Sequence, residues 1–211
     1  MWQQTVCRLF VLALAMASAS AAFAQGTIRY VKPQIPISFG PVPGFDYQLL
    51  DLNGDNLPDF VIDTSLLITS NLRALGSNRV LTSYNWDGGL LLQPLSATDI
   101  VSPQPLLAHT YWNSYGALSA CSTIGCLGPW LGMTAYAGVE FRIGEDVHYG
   151  WIRINNFANV NAGSVLDWAY ETRPGVPILA GAVPEPSALA LLVGGGVLMV
   201  WFRQKRNERR G

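Results

Sequence analysis

The chain has 211 residues, 13 of them Lys or Arg and 14 Asp or Glu, for a formal net charge of −1, and half of its residues are hydrophobic. That balance hides a split: five basic residues follow Phe202, whereas residues 25–182 hold seven basic and twelve acidic ones and stand near −5. An acidic, aromatic-rich middle excludes nucleic acid as a partner, since that would require a basic stripe.

At the front, Arg8 precedes an apolar run from Leu9 to Ala17, and Ala22-Phe23-Ala24 sets small residues at the positions a signal peptidase reads. Cleavage is expected after Ala24, leaving Gln25 as the mature N-terminus; the run is too short for a permanent anchor. Residues 1–24 are therefore expected to be a signal peptide, 25–180 an exported domain and 181–211 a tail. Cys7 departs with the leader, and Cys121 and Cys126, separated by Ser-Thr-Ile-Gly, are expected to form a small disulfide loop in an oxidising compartment.

The body reads as strands and turns with no convincing amphipathic helix. Thr27 to Lys32 and Ile35 to Phe39 are short, Pro-punctuated and edge-like. Tyr47 to Leu50 and Phe60 to Thr64 flank an Asp-rich loop; Leu66 to Thr69 and Val80 to Tyr84 follow, and Asn85-Trp86-Asp87-Gly88-Gly89 marks a turn. Leu106 to Gly132 lacks periodicity and is expected to be a long aromatic loop stapled by the cysteines. The clearest signal is a hairpin over Gly138 to Asn155, in which Val139, Phe141 and Ile143 answer Val147, Tyr149 and Trp151 across Gly144-Glu145-Asp146. Ile152 and Ile154 take the opposite parity, which predicts either a bulge at Gly150-Trp151 or a strand covered on both faces. His148 is expected at the surface. Ser164 to Glu171 supplies one more strand before Pro174-Gly175. Many short strands with Gly/Pro turns predict a mainly β fold, an antiparallel β-sandwich of jelly-roll-like form.

One stretch carries definite chemistry. Asp51, Asn53, Asp55 and Asp59 stand at loop positions 1, 3, 5 and 9, with Gly54 at the turn and the Leu57 carbonyl as a backbone donor. A hard cation such as Ca²⁺ takes six to eight oxygens, and a chain that doubles back can supply them. Asp63 joins only if the next strand folds back. The bland alternative is an Asx-rich turn that satisfies its own backbone. The loop resembles the calcium loops of dockerin-like and integrin-repeat-like sites, but departs from the EF-hand pattern in the place of its glycine and in the missing Glu at position 12.

Trp86, Tyr111, Trp112, Tyr115, Trp130 and Tyr136 crowd loop-like segments, and sugars stack on such rings, which makes extracellular polysaccharide a candidate partner. No nucleophile, zinc-binding or phosphate-cradling motif occurs. The competing reading is a secreted polysaccharide hydrolase, whose two carboxylates would come from Glu140, Asp167 and Glu171.

The tail has three parts: Val183-Pro184-Glu185-Pro186-Ser187, an uncharged run through Phe202, and a basic end with Arg203, Lys205, Arg206, Arg209 and Arg210. Fifteen residues from Ala188 span roughly 22–24 Å as a helix, short of a bilayer core of about 30 Å, and Gly194-Gly195-Gly196 weakens the helix centre. The segment 187–202 thus reads as a transient transmembrane helix with its basic end in the cytoplasm. A simple single-pass anchor is the alternative.

This order of parts resembles the PEP-CTERM sorting signal. The resemblance implies an exosortase that recognises Pro184-Glu185-Pro186, cuts nearby, and leaves the body at the surface of a Gram-negative bacterium or in its extracellular matrix. A longer likeness runs through His148-Tyr149-Gly150-Trp151-Ile152-Arg153, Asp167-Trp168-Ala169-Tyr170-Glu171-Thr172 and Pro174 to Gly181. It resembles the endings of exported PEP-CTERM proteins, in which such strands close a β-sandwich. The expected function is that of a non-enzymatic surface or matrix protein, with signal peptidase and exosortase as its processing enzymes and the membrane as a transient partner.

Overall fold

The alternation seen around Gly144 builds the longest pairing of the molecule. Register runs unbroken from Thr134 opposite Asn155 to Ile143 opposite Asp146. Gly144, at φ 64°, takes the first central position of a two-residue turn, where a positive φ matches the twist of the flanking strands. The computed structural model describes residues 27–41, 46–64, 69–84, 88–122, 125–158, 161–184 and Lys205. Within the unit Ile28–Val183 these residues hold strands and turns and no helix.

The strands are β1 (Ile28–Val31), β2 (Ile37–Phe39), β3 (Tyr47–Leu50), β4 (Phe60–Thr64), β5 (Thr69–Ala74), β6 (Arg79–Tyr84), β7 (Leu90–Leu92), β8 (Pro94–Leu95), β9 (Ile100–Val101), β10 (Thr110–Asn113), β11 (Tyr115–Ser122), β12 (Gly125–Leu127), β13 (Thr134–Ile143), β14 (Asp146–Asn156), β15 (Gly163–Glu171) and β16 (Ile178–Leu179). One continuous sheet runs β1-β15-β14-β13-β6-β7-β11-β5-β4-β3, with β2, β8, β10 and β12 attached beside it; β9 and β16 pair separately. The pairing is antiparallel apart from a short parallel contact of β7 with β11.

The fold is therefore mainly β, as expected, and its sheet is curled: the two ends of the path share one core. Leu50, Phe60, Ile62 and Leu72 from β3–β5 pack in the same cluster as Phe141, Ile152, Val165 and Trp168 from β13–β15. The Phe60 and Phe141 rings meet edge to face at 6.5 Å, and Trp168 Nε1 donates to the Leu52 carbonyl at 3.2 Å. A second cluster covers the opposite face of β6 and β13–β15, where Leu81, Tyr149, Trp151 and Ala169 lie under Leu95, Val101, Ile178 and Ala180.

Two expectations change here. Leu106 to Gly132 is not a long loop: β10, β11 and β12 lie within it, and Cys121–Cys126 cross-links directly opposed residues of a β11–β12 hairpin. Its small residues, such as Ser119, Ala120 and Cys121, stand in a strand without producing hydrophobic alternation. His148 is buried, because β14 is covered on both faces. There is no bulge at Gly150-Trp151; the irregularity falls between β14 and β15 at Arg153/Ile154.

Candidate functional site

The aspartate loop hangs between β3 and β4, whose pairing of Leu50 with Phe60 brings its two ends together. Inside it the side chains fold back on the backbone. Asp51 accepts from the Gly54 and Asn56 N–H groups at 2.7 and 2.8 Å, Asn53 Oδ1 from Asp55 N at 2.9 Å, and Asp55 Oδ1 from Leu57 N at 2.8 Å. Asn53 Nδ2 donates to Asp55 Oδ2 at 3.0 Å. Gly54 and Asn56, at φ 82° and 68°, make the left-handed steps that this winding needs.

Asp59 differs from the other acids. It is buried, accepts Leu52 N at 2.8 Å and faces Asn78 Nδ2 at 3.4 Å. Burial first, then the charges of Asp51 and Asp55, push its pKa up to about 6, against the opposing pull of the Leu52 hydrogen bond. The Arg29 guanidinium of β1 lies beside Gly54, within 3.4 Å of where a Cβ would stand. Leu57 is exposed. Asp63 does not join the loop; it sits in β4 with Arg73 at 2.5 Å and Asn71 at 3.0 Å. Among the described residues, no three His, Cys, Asp or Glu side chains converge as a ready metal cluster.

The three carboxylates a hydrolase would use are all buried, and each is held by an arginine. Glu140 takes Arg79 Nε at 2.7 Å and Tyr149 Oη at 3.2 Å. Asp167 takes Arg153 through Nε at 2.9 Å and through Nη2, together with Tyr30 Oη at 2.8 Å. Glu171 takes Arg173 Nε at 3.1 Å and Nη2 at 3.2 Å. Burial, with the Glu140 charge and hydrogen bond behind it, raises the Tyr149 phenol to about 12. Glu140 lies opposite Tyr149 in the hairpin, not opposite His148 or Trp151. His148 Nδ1 instead meets the Glu171 carbonyl at 2.9 Å, its ring set against Phe141 and Tyr170.

The aromatic candidates divide. Trp130 is fully buried, with its Nε1 donated to the Leu92 carbonyl at 2.8 Å. Trp112 packs on Tyr149 and Tyr136 on Trp151, with centroids at 6.0 and 5.1 Å. Tyr111 and Tyr115 remain exposed, and Tyr111 contacts Tyr84, also exposed, at 5.3 Å. Sequence reasoning passed over Tyr84 and the arginine partners, because each depends on which strands become neighbours.

Trp86, the segment Leu66 to Ile68, residues 1–26 (with Ala22, Ala24 and Gln25 of the expected cleavage site among them), and residues 185–211 apart from Lys205 lie outside the described residues. So do Glu185, Pro186 and Ser187 of the sorting motif and Arg203, Arg206, Arg209 and Arg210. No family model, curated protein or solved structure matches this chain.

Proposed function

We propose that this chain is an exported, non-enzymatic surface or extracellular-matrix protein, delivered by a C-terminal tail that an exosortase removes. The observation that carries the non-enzymatic part is the pairing of Glu140, Asp167 and Glu171 with arginines. A nucleophile or base needs a free lone pair near the substrate; a carboxylate buried against a guanidinium does not present one. Export is supported by the leader, the tail and the Cys121–Cys126 bond, which suits an oxidising compartment. The core shared by both ends of the sheet favours a sandwich, jelly-roll-like description of the curl. Mass spectrometry of the protein from its native host should find Gln25 at the front and a C-terminus near Pro184-Glu185-Pro186. A mature chain intact through Gly211 would overturn the cleavage and leave a simple anchor.

The proposal extends to a structural Ca²⁺ in the loop, held by Asp51, Asn53, Asp55, Asp59 and the Leu57 carbonyl. An oxygen that accepts one N–H keeps a lone pair for a hard cation. The upward push on Asp59 comes from burial first and then from the charges of Asp51 and Asp55, and a cation would relieve that second part. Adding Ca²⁺ to the purified protein should release binding heat and raise Tm. Absence of both leaves a turn satisfied by its own backbone. The partner we propose is extracellular polysaccharide, stacked on the exposed Tyr84 and Tyr111 rings. Retardation in polysaccharide-loaded affinity gels should fall in Tyr84→Ala/Tyr111→Ala, and unchanged mobility of wild type rejects this partner.

A further inference from the structure

Four polar side chains meet inside the molecule, away from the aspartate loop. Ser70 of β5 and Ser119 of β11 oppose each other in register, their Oγ atoms 2.8 Å apart. Asn156, at the end of β14, donates Nδ2 to Ser119 Oγ at 3.3 Å, and Ser119 donates to Asn161 Oδ1 at 3.3 Å. Ser70 and Asn156 are fully buried, and Ser119 and Asn161 nearly so. β5 and β11 come from one part of the curled sheet and β14 from another, so these bonds tie the two together through the interior.

Counting protons exposes a deficit. A hydroxyl carries one proton. With Ser70 donating to Ser119 and Ser119 to Asn161, none is left for Asn156 Oδ1. Among the described residues it is the buried side-chain oxygen without a hydrogen-bond partner. Reversing the amide only moves the problem: Ser119 would turn its proton from Asn161 to Asn156, and the amide nitrogen would become the bare group. Leaving a buried acceptor unmet costs about 1–3 kcal/mol. Proteins commonly relieve such groups with an enclosed water that bridges otherwise unpaired polar atoms.

We infer that Asn156 Oδ1 holds a structural water sealed between the two parts of the sheet. The surroundings select the ligand class: serine hydroxyls and carboxamides carry no net charge, so the occupant is neutral, a donor, and small. Water-selective NMR on the full-length, isotope-labelled protein tests this directly. The Asn156 side-chain NH₂ and the Ser119 backbone amide should both show a cross-peak to water with the sign of a molecule held longer than the protein tumbles, and Asn156→Leu should abolish the one at Ser119. A folded wild type without that cross-peak would overturn the inference, as would its persistence at the Ser119 amide in Asn156→Leu. Should Asn156→Leu fail to fold, a high-resolution crystal structure of wild type decides: a water within hydrogen-bond distance of Oδ1 is expected, and a protein donor there rules it out.

Discussion

The two faces of β13, β14 and β15 are made from the same three strands by alternate residues, yet they solve burial differently. One face carries Val139, Phe141, Ile152, Ile154 and Trp168 into a core supplied by the sheet's own far end. The other carries Tyr149 and Trp151 beside Glu140–Arg79, Arg153–Asp167 and Glu171–Arg173, under short segments around β8, β9 and β16. The first face is closed by a broad apolar surface. The second is closed by narrow pieces that leave arginines at the rim, a third to a half exposed or more, able to neutralise carboxylates that point inward. Charge is tolerated where the cover is thin enough to lend a partner.

Breaking the apolar face should cost most. Phe141→Ala removes a fully buried ring that touches Phe60, Tyr170 and His148, and a loss of about 3–5 kcal/mol in chemical unfolding is expected. On the charged face, Arg153→Ala leaves Asp167 buried with the Tyr30 hydroxyl still donating to it, and about 3 kcal/mol should be lost. The combined Arg153→Met/Asp167→Leu should recover most of that, since the pair contributes neutrality more than net attraction. A double variant as unstable as Arg153→Ala would refute this account of the charged face.

Tyr149→Phe should cost less, about 1 kcal/mol for one hydrogen bond, and it sharpens the comparison through pH. The folded phenol titrates near 12 against an ordinary value of 10.0, so between those values the folded state holds more proton than the unfolded one. Its contribution is complete below pH 10 and is lost as pH rises through 12. Alkaline unfolding curves of wild type should therefore be steeper over that window than those of Tyr149→Phe. Equal slopes would mean that Tyr149 is not buried against Glu140. Removing the disulfide with Cys121→Ser should fall between the arginine and tyrosine variants, at about 2 kcal/mol from loop entropy, a modest figure because the closed loop is short.

Much of the apolar face was legible from periodicity. The hairpin centred on Gly144 stands where alternation places it, the strand ending at Glu171 stands ahead of Pro174-Gly175 as read, and the aspartate loop is flanked by strands as read. What escaped has physical reasons. β14 buries both faces, so His148 gives no alternating signal to mark it as interior. β11 packs Ser119 against Ser70, and two serines look like surface residues until their strands are neighbours. The arginine partners of Glu140 and Asp167 are 61 and 14 residues away in sequence, and no local pattern points from one to the other.

The pairing of β1 with β15 sets a timetable. Ile28 lies opposite Glu171 and Val31 opposite Trp168, so the first strand to be synthesised is matched to nearly the last. Contacts that span most of a chain form only after a large loop has closed, and folds dominated by them fold on the millisecond-to-second scale. β1 must stay unpaired, with Ile28, Tyr30 and Val31 uncovered, until some 140 further residues have emerged, as the 137-residue span of the Tyr30–Asp167 hydrogen bond records. The chain can close only once it is whole, so a truncated or stalled chain is left with a sticky first strand and no site to receive it.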